Sequence, residues 1–431
     1  MVKYKFLAFL FLYIVAATSF ASLLNINVQA IYRVPLINIR WIDVAILAVI
    51  AIYLYRPIIP QRVLSNNKTI INLSYIYLLY MIFELAKSWG RTGANTEISH
   101  FFCTLSIFIV IELSTFKIDK QEIVSFVKTF AFLSCFALII KNFVVLYSFV
   151  SGRIIFLDSD IRVGIEFTGE KESVYSEVII ALVYLFGLYT IQNKKTGWNI
   201  EKLIFLIAII SIYVSLVFSF SRGLVFMIAS STLIYLLFFS KKIANAFIQI
   251  FSILSILMVF YFVFGSALRQ RGYDPIDRIT QIVKFAADVD DPNWDKGRSL
   301  SRFYAIKAWK EHIWTGSGYD NLSNHGLPPD VATAHNFVIT SLFHTGIIGT
   351  FLYLLILYYL FRNSIKLWKH LNKEDSESSD VMKLIIISSF FWLIMAWTQE
   401  AFWEKHSMSI EFLLLGLITN YYMQETGQIE K

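Results

Sequence analysis

Long apolar runs separated by short charged segments dominate the chain, and the runs are continuous rather than alternating. Stretches long enough to span a bilayer, about 17–25 residues, recur at roughly 6–24, 36–55, 70–86, 98–116, 123–151, 174–192, 203–218, 223–240, 243–266, 335–361, 383–399 and 408–423. Lipid offers no water to satisfy free backbone groups, and a barrel strand would show ten-residue alternation, so the pattern requires helices. It predicts an all-α polytopic membrane protein of about 12 transmembrane helices. Nine of these helices fall in 1–266, a large polar extracytoplasmic loop fills 267–334 between helices 9 and 10, and helices 10–12 occupy 335–431.

Composition agrees. Of 431 residues, 57% are hydrophobic and 16% charged, with only 7 prolines to interrupt the runs. The mean hydropathy is +0.60, far above the usual globular mix. Residues 1–24 carry Lys3 and Lys5, an apolar stretch and Ala-Thr-Ser-Phe-Ala before Ser22, which also fits a secretion signal; an uncleaved first span is the favoured reading. Either way Leu23 begins outside.

Loop charge sets the orientation. Lys3/Lys5, Arg56/Arg62/Lys68, Lys117/Lys120, Lys194/Lys195/Lys202, Lys241/Lys242 and Arg362/Lys366/Lys369/Lys373 all fall on one side of the predicted spans. That side is cytoplasmic by the positive-inside rule, so the loops 152–173, 219–223 and 267–334 face outward. Arginine behaves differently from lysine: eleven of the fourteen arginines lie outside, including Arg153, Arg162, Arg222 and Arg302. Planar, permanently charged guanidinium forks suit phosphate or pyrophosphate. Ordinary loop salt bridges are the plainer alternative, because 267–334 holds nine acidic and nine basic residues.

Three arginines stand out. Arg222 lies in Ser219-Phe220-Ser221-Arg222-Gly223, a break between two apolar runs, where a charge is expensive unless paired or solvated; a snorkelling anchor would also fit. Arg302 opens a stretch of helical periodicity over 301–314, sharing a face with Ile306, Trp309 and Ile313, and a cation in a first turn opposes the helix dipole unless something anionic compensates it. Arg162 lies with Arg153 in a loop rich in acids, where internal pairing competes with anion binding. His335 opens the next span, and helical spacing places Leu342, Gly346 and Gly349 on its face with His344 opposite. An imidazole there can take a proton from a hydroxyl, while the glycines alone would suit close helix packing.

These residues resemble the O-antigen ligase and polymerase family of bacterial surface-polysaccharide assembly. The resemblance rests on Arg162-Val163-Gly164, Ser221-Arg222-Gly223, the outer loop with Arg302 to Trp309 and Gly316-Ser317-Gly318, and His335-Asn336 followed by Gly346 and Gly349. Where the family usually carries a proline before the Gly-x-Gly turn, this chain reads His312-Ile313-Trp314-Thr315-Gly316. The resemblance implies a multi-pass protein of the bacterial cytoplasmic (inner) membrane with its active site facing the periplasm or outer surface. It implies an inverting glycosyltransferase without metal or other cofactor, moving glycan from undecaprenyl pyrophosphate onto a sugar hydroxyl. On that reading Arg222 and Arg302 stabilise the leaving pyrophosphate and His335 activates the acceptor, with Arg153, Arg162, Gly316, Gly318 and Asn336 binding pyrophosphate or glycan.

The acceptor is the growing glycan in a polymerase, which is the favoured reading, and lipid A-core in a ligase. Expected partners are these donors and acceptors, membrane lipid and a chain-length regulator or other glycan-assembly protein; no nucleic acid is expected. A metal-dependent transferase would draw on Asp288-Val289-Asp290-Asp291 or on the five-residue spacing of Asp320, His325, Asp330 and His335, but the first outer loop (25–40) has no acid. A flippase or transporter of lipid-linked sugars would predict repeated halves, and none is evident. Cys103 and Cys135 both fall in predicted spans, and no Walker loop or dinucleotide fingerprint occurs.

Overall fold

The structure is a computed structural model. It describes residues 32–34, 37–39, 68–90, 104–115, 118–151, 173–192, 199–219, 222–239, 296–320, 322–326, 336–374, 376–398 and 405–426, with isolated positions between them. One short hairpin precedes the helices: β1 (Tyr32–Val34) pairs antiparallel with β2 (Ile37–Ile39), Tyr32 opposite Ile39 and Val34 opposite Ile37. The run expected to begin a span at 36 therefore begins as a strand, where aromatic and β-branched residues favour extended pairing. Apart from this hairpin the described elements are helical.

The helices are α1 (Lys68–Ser88), α2 (Ile107–Thr115), α3 (Lys120–Ser151), α4 (Ser173–Gln192), α5 (Ile200–Ser219), α6 (Arg222–Phe239), α7 (Lys296–Glu311), α8 (Phe337–Leu371), α9 (Glu377–Thr398) and α10 (Lys405–Glu425), with a 3₁₀ turn at Leu322–His325. All except α7 and the 3₁₀ turn stand on predicted apolar runs. α1 and α8 are long and apolar enough to cross a membrane, and Ile180–Gln192 and Met227–Phe239 are shorter apolar helices. The runs 6–24, most of 36–55 and nearly all of 243–266 lie outside the described residues.

The chain divides into two compact units, one made of 1–14, 28–129 and 295–431, the other of 15–27 and 130–294. In the first, α8 is the central helix and packs on α1, α7, α9 and α10. α1 runs antiparallel to it: the Tyr77 and Tyr353 rings lie 5.3 Å apart, and one turn further along α1 the Tyr80 hydroxyl donates to the Thr345 carbonyl at 2.7 Å. α2 runs parallel to α10, since Asn420 Nδ2 donates to the Leu113 carbonyl at 2.6 Å and, further along α10, Gln424 Nε2 donates to the carbonyl of Ile118, just past the end of α2. Gly416 allows this approach; a Cβ there would lie 2.7 Å from Leu113 Cδ1.

These directions gather Lys120 with Glu425, Lys128 with Glu377, and His370 with Glu425 (3.3 Å) at one end of the unit. Lys87, residues 312–318 and Thr345 meet at the opposite end of α1.

In the second unit α4 packs on α5 and α6. A buried hydroxyl chain joins all three, with the Tyr184 hydroxyl 2.8 Å from that of Tyr213 and 2.7 Å from Thr232 Oγ1. Buried hydroxyls are costly without partners, so this chain fixes the mutual rotation of the three helices.

Candidate functional site

The segment that follows α7 owes its position to which face of α7 is buried. Ser301, Ala305 and Ala308 are buried, and the two alanines form a small core with Leu322, Ala334 and Phe343. Small side chains let α7 approach α8 closely. The face expected to join Arg302 with Ile306, Trp309 and Ile313 is only partly covered: Ile306 is 37% and Ile313 41% exposed, and Trp309 is half-buried. Arg302, half-buried, sits between the two faces. α7 also begins at Lys296, five residues before the expected start, so Arg302 lies in the second turn and the helix dipole gives no argument for an anion beside it.

Beyond α7 the chain enters a break in α8. Gly346 has φ 59° and ψ −165°, a conformation open essentially to glycine alone. An unbroken helix would bond the Ile347 N–H to the Phe343 carbonyl and the Ile348 N–H to the His344 carbonyl. Here each of those bonds is opened and both halves are satisfied by the segment 313–318. The Ser317 and Gly318 N–H groups donate to the Phe343 and His344 carbonyls at 2.7 and 2.9 Å. The Ile347 and Ile348 N–H groups donate to the Ile313 and Trp314 carbonyls at 3.0 and 3.2 Å.

Two glycines make the graft possible. A Cβ on Gly316 would lie 2.5 Å from the Gly346 nitrogen and 2.6 Å from the His344 carbonyl carbon and oxygen, and one on Gly346 would lie 2.4 Å from the Trp314 carbonyl atoms. These are backbone atoms and cannot swing aside. The glycines therefore serve a backbone-to-backbone contact. The helical stripe counted from His335 ends at the break, since Gly346 is not helical.

The last turn of α1 clamps the same segment. Lys87 Nζ donates to the Thr315 and Gly316 carbonyls at 2.9 and 2.8 Å and pairs with the buried Glu84 carboxylate at 2.5 Å. Ser88 Oγ accepts from the Tyr319 N–H at 2.9 Å, while Gly318 packs so closely on Ser88 that a Cβ would lie 2.7 Å from its Cβ. From α8, His344 Nδ1 lies 2.7 Å from the Gly318 carbonyl. A carbonyl only accepts, so the Nδ1 position carries the proton. Sequence spacing set His344 aside as opposite to His335; its role appears only once α8 is broken.

Further along, Asp320 accepts from Asn324 Nδ2 at 2.6 Å and lies 3.2 Å from His325 Nε2, which ties the 3₁₀ turn to the end of the grafted segment. Two members of the five-residue series Asp320, His325, Asp330 and His335 thus meet. Asp330, His335 and the run Asp288 to Asp291 lie outside the described residues. Among the described residues, the one group of three metal-ligand side chains is His370, Glu374 and Glu425, at the other end of the unit.

Asn336 caps α8. Its Oδ1 accepts from the Val338 and Ile339 N–H groups at 3.0 and 3.1 Å, satisfying two of the free donors that begin any helix. The structure thus brings Gly316, Gly318, Arg302 and Asn336 onto neighbouring elements of one unit. Arg222 is the first residue of α6 in the other unit, and its side chain lies outside the described residues, as do Arg153, Arg162 and His335.

Residues 203–354 match a family model described as O-antigen ligase. The matched region begins in α5, includes α6, α7 and the grafted segment, and ends in α8 just past the break. No curated protein matches the chain.

Proposed function

From the match of residues 203–354 to the O-antigen ligase family model, we propose that the chain is a member of the O-antigen ligase and polymerase family and acts as a polymerase of lipid-linked surface glycans. It transfers a glycan from undecaprenyl pyrophosphate to a sugar hydroxyl of the growing chain outside the cytoplasmic membrane. The observation that carries this reading is that one matched region holds Ser221-Arg222-Gly223, Arg302, Gly316-Ser317-Gly318 and His335-Asn336 in that order. A second reading, favoured by the description of the matched family, is ligation to lipid A-core.

The chemistry follows from the groups supplied. When a pyrophosphate leaves an anomeric carbon, negative charge grows on its bridging oxygen while the acceptor hydroxyl loses its proton. Arg222 and Arg302 are the proposed counter-charges, worth most where water is excluded. His335 is the proposed base, taking the hydroxyl proton as the new glycosidic bond forms on the opposite face. Arg153 and Arg162 are proposed to hold the donor.

Deletion of the gene followed by a gel of surface glycan tests the reading. A ladder that collapses to one repeat on its acceptor supports a polymerase, and complete loss from lipid A-core supports a ligase. An unchanged profile in a strain that makes the glycan refutes both. Purified protein given labelled lipid-linked glycan should release undecaprenyl pyrophosphate, which a transporter would not do.

A further inference from the structure

We propose that Lys87 is a positioning residue for this transfer: with Glu84 at its back, its ammonium sets the carbonyls of Thr315 and Gly316, and through them the register of segment 313–318 in the broken helix. The inference builds on the functional reading above, but its physical core is independent of it. Nothing in the sequence marks Lys87, which ends an apolar run, and the matched region 203–354 does not include it.

The geometry argues for aim rather than filler. Lys87 Nζ donates to two backbone carbonyls at 2.9 and 2.8 Å and forms an ion pair with one carboxylate at 2.5 Å. Glu84 is wholly buried and Lys87 23% exposed. A buried carboxylate is expensive to keep unless it neutralises something, and here it orients an ammonium in the last turn of α1.

Thr315 and Gly316 are the only residues of 313–318 that make no backbone bond to α8 across the break. Their carbonyls turn away from α8, toward α1, and Lys87 takes both. Tyr80 adds a second tie from α1 to the same break through the Thr345 carbonyl. The segment is thus gripped from both sides, and it connects directly to α7. Trp309 Nε1 donates to the Ile313 carbonyl at 3.0 Å, so a shift of 313–318 is passed to the helix that carries Arg302.

Three variants test the proposal in purified full-length protein: Lys87→Arg, Lys87→Met and Glu84→Gln/Lys87→Met. Amide exchange is followed in peptides covering 313–320 and 343–350, with 68–80 as a monitor of α1, and transfer of labelled lipid-linked glycan is followed by kcat and donor KM. Lys87→Met should raise exchange in the first two peptides and lower kcat on the order of a hundredfold, the scale expected of an ångström-sized misplacement, with KM unchanged. Lys87→Arg should retain protection and most of the turnover.

The double variant should behave as Lys87→Met, because the carbonyls remain unheld after the charge is removed. Wild-type exchange and turnover in Lys87→Met, or their recovery in the double variant, would overturn the proposal; recovery would mean that Lys87 only neutralises Glu84. Should Lys87→Met fail to fold with Glu84 left unpaired, the uncharged double variant decides the question. A wild-type protein without transfer activity removes the functional reading, and the exchange comparison still decides the positioning role.

Discussion

Gly346→Ala is the sharpest test of the broken helix. Two routes are open to the variant. If α8 stays broken, alanine must adopt φ 59° and ψ −165°, which costs about 1–3 kcal/mol. Its Cβ must also displace the Trp314 carbonyl from 2.4 Å, which removes the Ile348 to Trp314 bond. If α8 straightens, four backbone bonds to 313–318 are lost and two helix bonds return.

The straightened state is short by two net bonds, about 2 kcal/mol at ~1 kcal/mol each. Loss of the two Lys87 bonds, each from a charged donor worth about 1.5–3 kcal/mol, adds about 3–6 kcal/mol, and alanine's better helix propensity returns about 0.5–1 kcal/mol. The broken route costs a few kcal/mol, tolerable within a total of about 5–15 kcal/mol. Keeping the break is the cheaper route, so the protein should fold with segment 313–318 pushed off its wild-type join at Trp314. Amide exchange of purified protein should show loss of protection across 313–320, with α9 and α10 unchanged, and glycan transfer should fall to background. Wild-type protection of 313–320 together with wild-type transfer would show that the graft does not depend on glycine at 346.

Asn336→Ala should remove the α8 cap and lower stability by about 0.5–2 kcal/mol, read as a lower thermal midpoint, whereas Asn336→Asp should retain it. Arg302→Lys should fail to restore the transfer lost in Arg302→Ala, because an ammonium lacks the planar fork that suits a pyrophosphate; equal rates for lysine and arginine would remove that role. His335→Ala should abolish transfer while leaving the exchange of 343–350 as in wild type, and full activity would exclude it as the base. Tyr184→Phe leaves Tyr213 and Thr232 without their shared partner and should cost on the order of 1–3 kcal/mol of stability with no change in donor KM.

Much of the helical architecture is legible in the apolar runs, on which every described helix but α7 and the 3₁₀ turn stands. The site is less so. Gly316, Gly318 and Gly346 stand out in the sequence, yet their purpose depends on a contact between backbones thirty residues apart, which leaves no periodic trace. Helical counting past residue 345 misplaces Gly346 because it assumes an unbroken helix. The same counting misreads α7: periodicity favours Ile306 and Ile313, but closeness to α8 favours Ala305 and Ala308. Lys87 and His344 are invisible for a related reason, since each acts on a carbonyl, and a carbonyl is present at every position.

The graft of 313–318 into α8 also determines how this part of the chain can drift. Its register is set by peptide groups, so Ile313 and Trp314, whose side chains are 41% and 66% exposed, can be exchanged with little effect on the join. Length is another matter: one residue added between Trp314 and Ser317 would put the Ile313 and Trp314 carbonyls out of step with the Ser317 and Gly318 N–H groups. Proteins sharing this join should therefore differ freely in the side chains at positions 313 and 314, and agree in the count of residues from 313 to 318.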